Sequence, residues 1–278
     1  MTEPHGRAAT LAKTEILLVL GLCAVVAGAW AAERALGLDG PIRIGVVVSL
    51  VMAVVPGLLW LAYFYLQDRD EPEPKHYVLG VFLLGAFVAA PLAGFFGGHA
   101  AAASRGFTLE GILLAIVPCG LAQELAKYLV VRYSVYLSDE FDEPLDGIIY
   151  MTAAGIGFAT AENYTYLRGL AGNVFLATGV MNVVVTTLAH GSIAGVLGYA
   201  LGQARFMTAP GRRAGLLLGA LLLASVLNGA FNLLEARVKV SGMSVEPWRG
   251  VAFAAVFAAL VFAGTYALMA RSRRAVHA

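Results

Sequence analysis

Eight times along this chain an apolar run long enough to cross a lipid bilayer is followed by a short polar break. A spanning α-helix needs roughly 20 mainly apolar residues. The runs lie at about 14–32, 44–66, 78–98, 109–131, 146–167, 174–201, 214–234 and 250–270. Inside hydrocarbon a backbone N–H or C=O finds no water, so a run of this length satisfies its own hydrogen bonds as a helix. The expected fold is therefore all-α: a polytopic membrane helical bundle of about eight transmembrane helices, with residues 1–278 forming one membrane domain. Composition agrees, with 59% hydrophobic and 13% charged residues, where soluble domains carry about a quarter charged.

The connections carry the remaining topological information. Arg69-Asp-Glu-Pro-Glu-Pro-Lys75 is Pro-rich and charged, and no helix continues through it. Ser138 to Asp146 is a second charged turn. Its Asp142, Glu143 and Pro144 predict a helix start, with acidic side chains at the positive end of the helix dipole. Lys13 before the first run and small residues at Ala29–Ala32 resemble a signal peptide. The run from Ile16 to Ala32 is at the long end for a signal core, which favours a retained helix. With the N-terminus inside, the inside segments hold eleven Lys and Arg residues and the outside loops seven. The bias is strongest at Arg205, Arg212 and Arg213 and at the C-terminus, so both termini are expected in the cytoplasm. A net charge of +1 with no basic stripe points away from nucleic acid as a partner. Cys23 and Cys119 lie far apart inside apolar runs and imply no disulfide framework. Both read as small buried or lipid-facing residues, with metal ligation by Cys119 as the lesser reading.

An ionisable side chain at membrane depth costs at least a few kcal/mol, so each one needs a reason. Here they gather in four successive runs. The fourth carries Gln123, Glu124 and Lys127; the fifth Glu162 and Asn163; the sixth Thr186, Thr187 and His190; the seventh Asn228 and Asn232. Glu124 and Lys127 are three apart and share a helix face with Tyr128, as do Asn228 and Asn232, four apart. If the helices at 109–131, 146–167, 174–201 and 214–234 pack together, these spots converge on one polar chamber.

Two carboxylates and an imidazole suit a divalent metal such as zinc. An open zinc position can activate water, a carboxylate can serve as general base, and an Asn amide can donate to an oxyanion. The same residues suit a proton relay or an ion path in a transporter. Each also has a plainer reading. Glu124 with Lys127 is a buried ion pair, Glu162 and His190 are interhelical hydrogen-bonding groups, and the two Asn residues are polar packing contacts. Gly147, Gly155 and Gly157 are read as points of close helix approach, not as a phosphate loop.

In order along the chain, several motifs resemble one family. They are Asp68-Arg-Asp-Glu-Pro-Glu-Pro-Lys75, Gln123-Glu124-Leu-Ala-Lys127, Phe141-Asp-Glu-Pro-Leu-Asp-Gly147, Gly157-Phe-Ala-Thr-Ala-Glu162-Asn163, Ala189-His190-Gly-Ser-Ile-Ala-Gly195 and Leu227-Asn228-Gly-Ala-Phe-Asn232. Together they are similar to the PrsW-type intramembrane metalloproteases, relatives of the CAAX-processing prenyl endopeptidases, over about Tyr65 to Asn232. The resemblance implies hydrolysis of peptide bonds in membrane-associated proteins, with an anti-sigma factor as one substrate, in the plasma membrane of a bacterial-type cell. It implies catalytic roles for Glu124, Lys127 and Asn232, and zinc on Glu162 and His190. Two positions depart from the pattern. Gln123 stands where the family has Glu, and an amide is no base. Asn228 stands where the family has His, and Asn is a poor zinc ligand. Glu124 is thereby the candidate base. The departures keep a second reading open, a non-catalytic relative that binds membrane proteins; a small-solute or ion transporter is a third.

Overall fold

The computed structural model describes residues 4–38, 40, 42–67, 71–96, 108–169, 173–241, 256 and 259–271. Among them the helices follow the apolar runs closely: α1 Pro4–Ala35, α2 Val46–Tyr65, α3 Lys75–Phe95, α4 Leu109–Ser134, α5 Asp146–Gly169, α6 Leu176–Arg205, α7 Pro210–Ser241 and α8 Ala259–Arg271. Five of them, α2, α3, α4, α6 and α7, are both long and apolar enough to cross a membrane. Asp68 to Asp70 of the acidic stretch, the far end of the run at 78–98, the start of the run at 250–270, and Arg105, Arg249, Arg273 and Arg274 lie outside the described residues.

The chain runs back and forth. At one end a two-residue antiparallel pairing joins β1 (Ile42–Arg43), before α2, to β2 (Asn173–Val174), before α6. Arg168 at the end of α5 donates to the Ile44 carbonyl there. At the other end the connections α2–α3, α4–α5 and α6–α7 meet. Arg213 donates to the Tyr136 hydroxyl at 2.8 Å, and Arg205 to the Ser138 carbonyl. Glu73 is buried there, taking the Tyr150 hydroxyl on a carboxylate oxygen and the Tyr65 hydroxyl on its backbone carbonyl. The expected helix start at Asp142 to Pro144 lies slightly early. The helix begins at Asp146, whose own carboxylate accepts the Glu143 N–H at 2.6 Å and closes the turn.

At the centre lies α5. Every residue from Asp146 to Thr160 is buried, so its environment is other helices and not lipid. That explains why it tolerates Thr, Gly and Asn. Its glycines are contact points, because a Cβ on Gly155 would stand 2.6 Å from the His190 carbonyl oxygen of α6. A Cβ on Gly147 would strike the backbone of Gly198 and Gly202, and one on Gly157 the Phe82 carbonyl of α3. Small residues thus let backbones close up where no hydrophobic drive between helices exists. The outer faces of α2, α3, α4 and α7 carry the opposite signature. Val47, Phe87, Phe95, Leu109 and Leu218 are exposed, as befits side chains bathed in hydrocarbon. Cys23 is exposed and Cys119 buried, both as free thiols.

Two helices are not regular. α3 has a π turn at Gly85–Ala89, and α4 one at Ala115–Leu121 that contains Pro118. Pro cannot supply the N–H that α geometry requires, and a π turn absorbs the defect. The α4 turn lies directly before the first polar residues of the chamber.

Candidate active site

Glu124 and Lys127 sit just beyond the π turn of α4. The close approach of α4 to α7 depends on Gly120 and Gly229. A Cβ on Gly120 would strike the Ser225 carbonyl, and one on Gly229 would stand 2.9 Å from the Ala115 carbonyl oxygen. With the backbones this near, Asn228 of α7 reaches the Glu124 carboxylate across 104 positions of sequence, donating to Oε1 at 2.5 Å. Lys127 donates to the same oxygen at 2.7 Å. Its Nζ also lies 3.1 Å from His190 Nδ1 on α6. Asn232 donates to Asn228 Oδ1 at 3.1 Å and so fixes which way the Asn228 amide faces.

The surround is buried and aromatic. Glu124, Lys127 and Asn228 are fully buried, and His190 is 2% exposed. The Phe158 ring of α5 lies 4.5 Å from Lys127 Nζ and 5.3 Å from the His190 ring. Phe231 of α7 meets His190 from another side. One carboxylate oxygen, Glu124 Oε2, is buried with no hydrogen-bond partner among the described residues. The carboxylate is therefore asymmetric: one oxygen tethered by two N–H donors, the other buried and unpartnered.

Of the residues singled out in the sequence, Glu124, Lys127, His190, Asn228 and Asn232 form this one connected network. Gln123 is buried beside it. Asn163 belongs to a neighbouring knot, donating to Thr187 Oγ1 at 3.1 Å and to the Val183 carbonyl, and ties α5 to α6. Glu162 is half-buried on α5, within electrostatic reach of Lys127 and Cys119. The sequence reading missed Phe158 and Phe231 as walls of the chamber. It also missed the buried Glu73–Tyr150 contact; the acidic Pro-rich stretch held the signal, a Glu flanked by two Pro residues.

Does the arrangement fit a metal? The donor types do: carboxylate and imidazole. The placement does not. Among the described residues no three His, Cys, Asp or Glu side chains gather to hold an ion. The place between Glu124 and His190 Nδ1 is taken by the Lys127 ammonium. Asn228 presents an N–H, a donor, to the carboxylate and no lone pair to a metal.

Comparison with known proteins agrees with the motif order. The pattern of the PrsW family intramembrane metalloproteases matches residues 73–265. A protein named Protease PrsW from Geobacillus kaustophilus is 36% identical over 159 residues, covering 57% of this chain and 68% of that protein. One of the same name from Bacillus subtilis is 32% identical over 190 residues, covering 64% and 78%. A third, from Clostridioides difficile, is 28% identical over 191 residues, covering 66% and 76%. No solved structure matches the chain. With the family pattern spanning most of its length and the buried carboxylate network at its centre, the chain belongs to the PrsW family of intramembrane metalloproteases.

Proposed function

We propose that this chain hydrolyses peptide bonds of membrane-associated protein substrates in the chamber between α4, α5, α6 and α7. The observation that carries this is the asymmetric Glu124 carboxylate. Oε1 is anchored by Lys127 and Asn228, while Oε2 is buried without a hydrogen-bond partner and is the oxygen left to take a proton. A general base needs this: fixed orientation and one oxygen free to take a proton. Glu124 takes a proton from water, the resulting hydroxide adds to the scissile carbonyl, and Glu124 returns the proton to the leaving amine. Asn232 spends one amide N–H on Asn228. Its second is available to the oxyanion, since a primary amide has two donors. Excluding water makes each of these contacts stronger than in the open. The zinc expected on Glu162 and His190 takes no part in this sequence of steps, because the arrangement does not fit it. No specific observation favours the non-catalytic binder or the transporter over hydrolysis.

The test is reconstitution of the whole chain, 1–278 as one membrane domain, into liposomes with single-span membrane proteins, an anti-sigma factor among them. Cleavage is expected, and Asn232→Ala should slow it about 10²–10³-fold, as loss of one oxyanion donor does. No cleavage of any substrate by a folded, inserted chain would sink the proposal. Orientation is proposed from charge: Arg132, Arg205 and Arg213 gather around Tyr136 at the end where α2–α3, α4–α5 and α6–α7 connect, and that end is cytoplasmic. A green fluorescent protein fused at the C-terminus should glow in bacterial cells; a dark, inserted fusion would reverse the orientation.

A further inference from the structure

We infer that Lys127 is the resident cation of the chamber, and that its ammonium keeps divalent metal out of the position between Glu124 and His190. The inference rests on the chamber being the hydrolytic site, but its readout is bound metal and not turnover.

Three observations carry it. First, Lys127 Nζ lies 2.7 Å from Glu124 Oε1 and 3.1 Å from His190 Nδ1. A metal joining the same two donors at roughly 2.0–2.2 Å would have to stand where the nitrogen now stands, and the charges forbid both at once. Second, the Phe158 ring lies 4.5 Å from Nζ. The face of an aromatic ring attracts an ammonium but offers zinc no ligand. Third, Asn228 donates its N–H to the same carboxylate oxygen. An imidazole at that position could have supplied a lone pair; this amide turns a donor towards the site, with its oxygen engaged by Asn232. Carboxylate, imidazole and ring thus complement an ammonium, only the first two would complement a metal, and the amide N–H satisfies the carboxylate without offering a metal a ligand.

The arrangement has a consequence for the protein as it stands. Lys127 is fully buried, and a buried charge that loses its partner is strongly destabilising. Removing the ammonium leaves the Glu124 carboxylate and His190 Nδ1 without the cation they share, and both are ligand types that a divalent metal can join. The replacement that uncovers this should keep the length and remove the charge, as Lys127→Met does. Lys127→Arg keeps a cation in place and serves as the control for shape.

The experiment measures zinc bound to the full-length, detergent-purified chain after incubation with zinc salt and gel filtration. Wild type and Lys127→Arg are expected to retain little. Lys127→Met is expected to retain about one zinc per chain, at an affinity at least about tenfold above wild type, and Lys127→Met with His190→Ala to lose it again, since ligand removal commonly costs that much or more. Wild-type protein that holds about one zinc per chain, lost in His190→Ala, would overturn the inference even if Lys127→Met failed to fold. A folded Lys127→Met chain that gains no zinc would overturn it as well, because something other than the ammonium would then exclude the metal. Loss of peptide cleavage by wild type would bear on the proposed function alone and leave the zinc result standing.

Discussion

Changing Glu124 to Gln should lower cleavage of a membrane substrate by about 100- to 10,000-fold, the range expected when a general base is removed. Gln keeps an oxygen for the N–H donors of Lys127 and Asn228, so the two helices remain joined, but it cannot accept a proton from water. The Lys127 charge is then left without its carboxylate in a fully buried place, so a lower melting temperature is also expected. The rate must therefore be measured well below that transition, in liposomes, against wild type with the same insertion. Cleavage at the wild-type rate by Glu124→Gln would remove Glu124 from the base role. Gln123, an amide already, would not inherit it.

The second large effect concerns assembly. Gly157→Ala should destabilise the bundle by more than about 1–3 kcal/mol, the usual range for overpacking. The new methyl would meet the Phe82 carbonyl of α3, which is backbone and cannot rotate away as a side chain can. Gly85, on α3 itself, faces the Ala154 carbonyl of α5 in the same manner, so the two helices are pressed together at two matched points. Gly80→Ala on α3 is the control, since nothing lies within 4 Å of a Cβ there. It should be neutral or stabilising by up to about 1 kcal/mol, the helix-propensity gain of Ala over Gly. Thermal unfolding in detergent separates them, and Gly157→Ala melting with wild type would mean that the helices are not in the contact described.

Much of this molecule was legible in its sequence because lipid imposes few solutions. Apolar length alone placed α2 at 44–66 against the observed Val46–Tyr65, and α6 at 174–201 against Leu176–Arg205. Helical spacing placed Glu124 beside Lys127, and Asn228 beside Asn232, within single helices. Spacing has no access to what joins one helix to another. The contact from Asn228 to Glu124 depends on Gly120 and Gly229, two residues with no chemistry of their own, and the contact from Lys127 to His190 spans 63 positions. Phe158 and Phe231 were hidden for a different reason: in so apolar a chain, one more Phe carries no signal. Glu162 shows the reverse difficulty. An acidic residue at membrane depth stands out in the sequence, yet on α5 it is only half-buried, and spacing does not tell that its charge reaches Lys127 on α4.

The π turn of α4 gives the chamber a weak point of an unusual sort. A helix advances about 100° per residue, and a π turn holds one residue more than the regular ring does. The aim of Glu124 and Lys127 is thus set by how many residues lie between Ala115 and Leu121, and not only by which residues they are. Wound as a regular α-helix, the same residues would carry both side chains round by about 100°, off α7. Every polar group of the network would still be written in the sequence, in order and with its downstream spacing intact, while the network itself was gone. In this chain the winding of that turn is as much a condition of the chamber as the carboxylate it points.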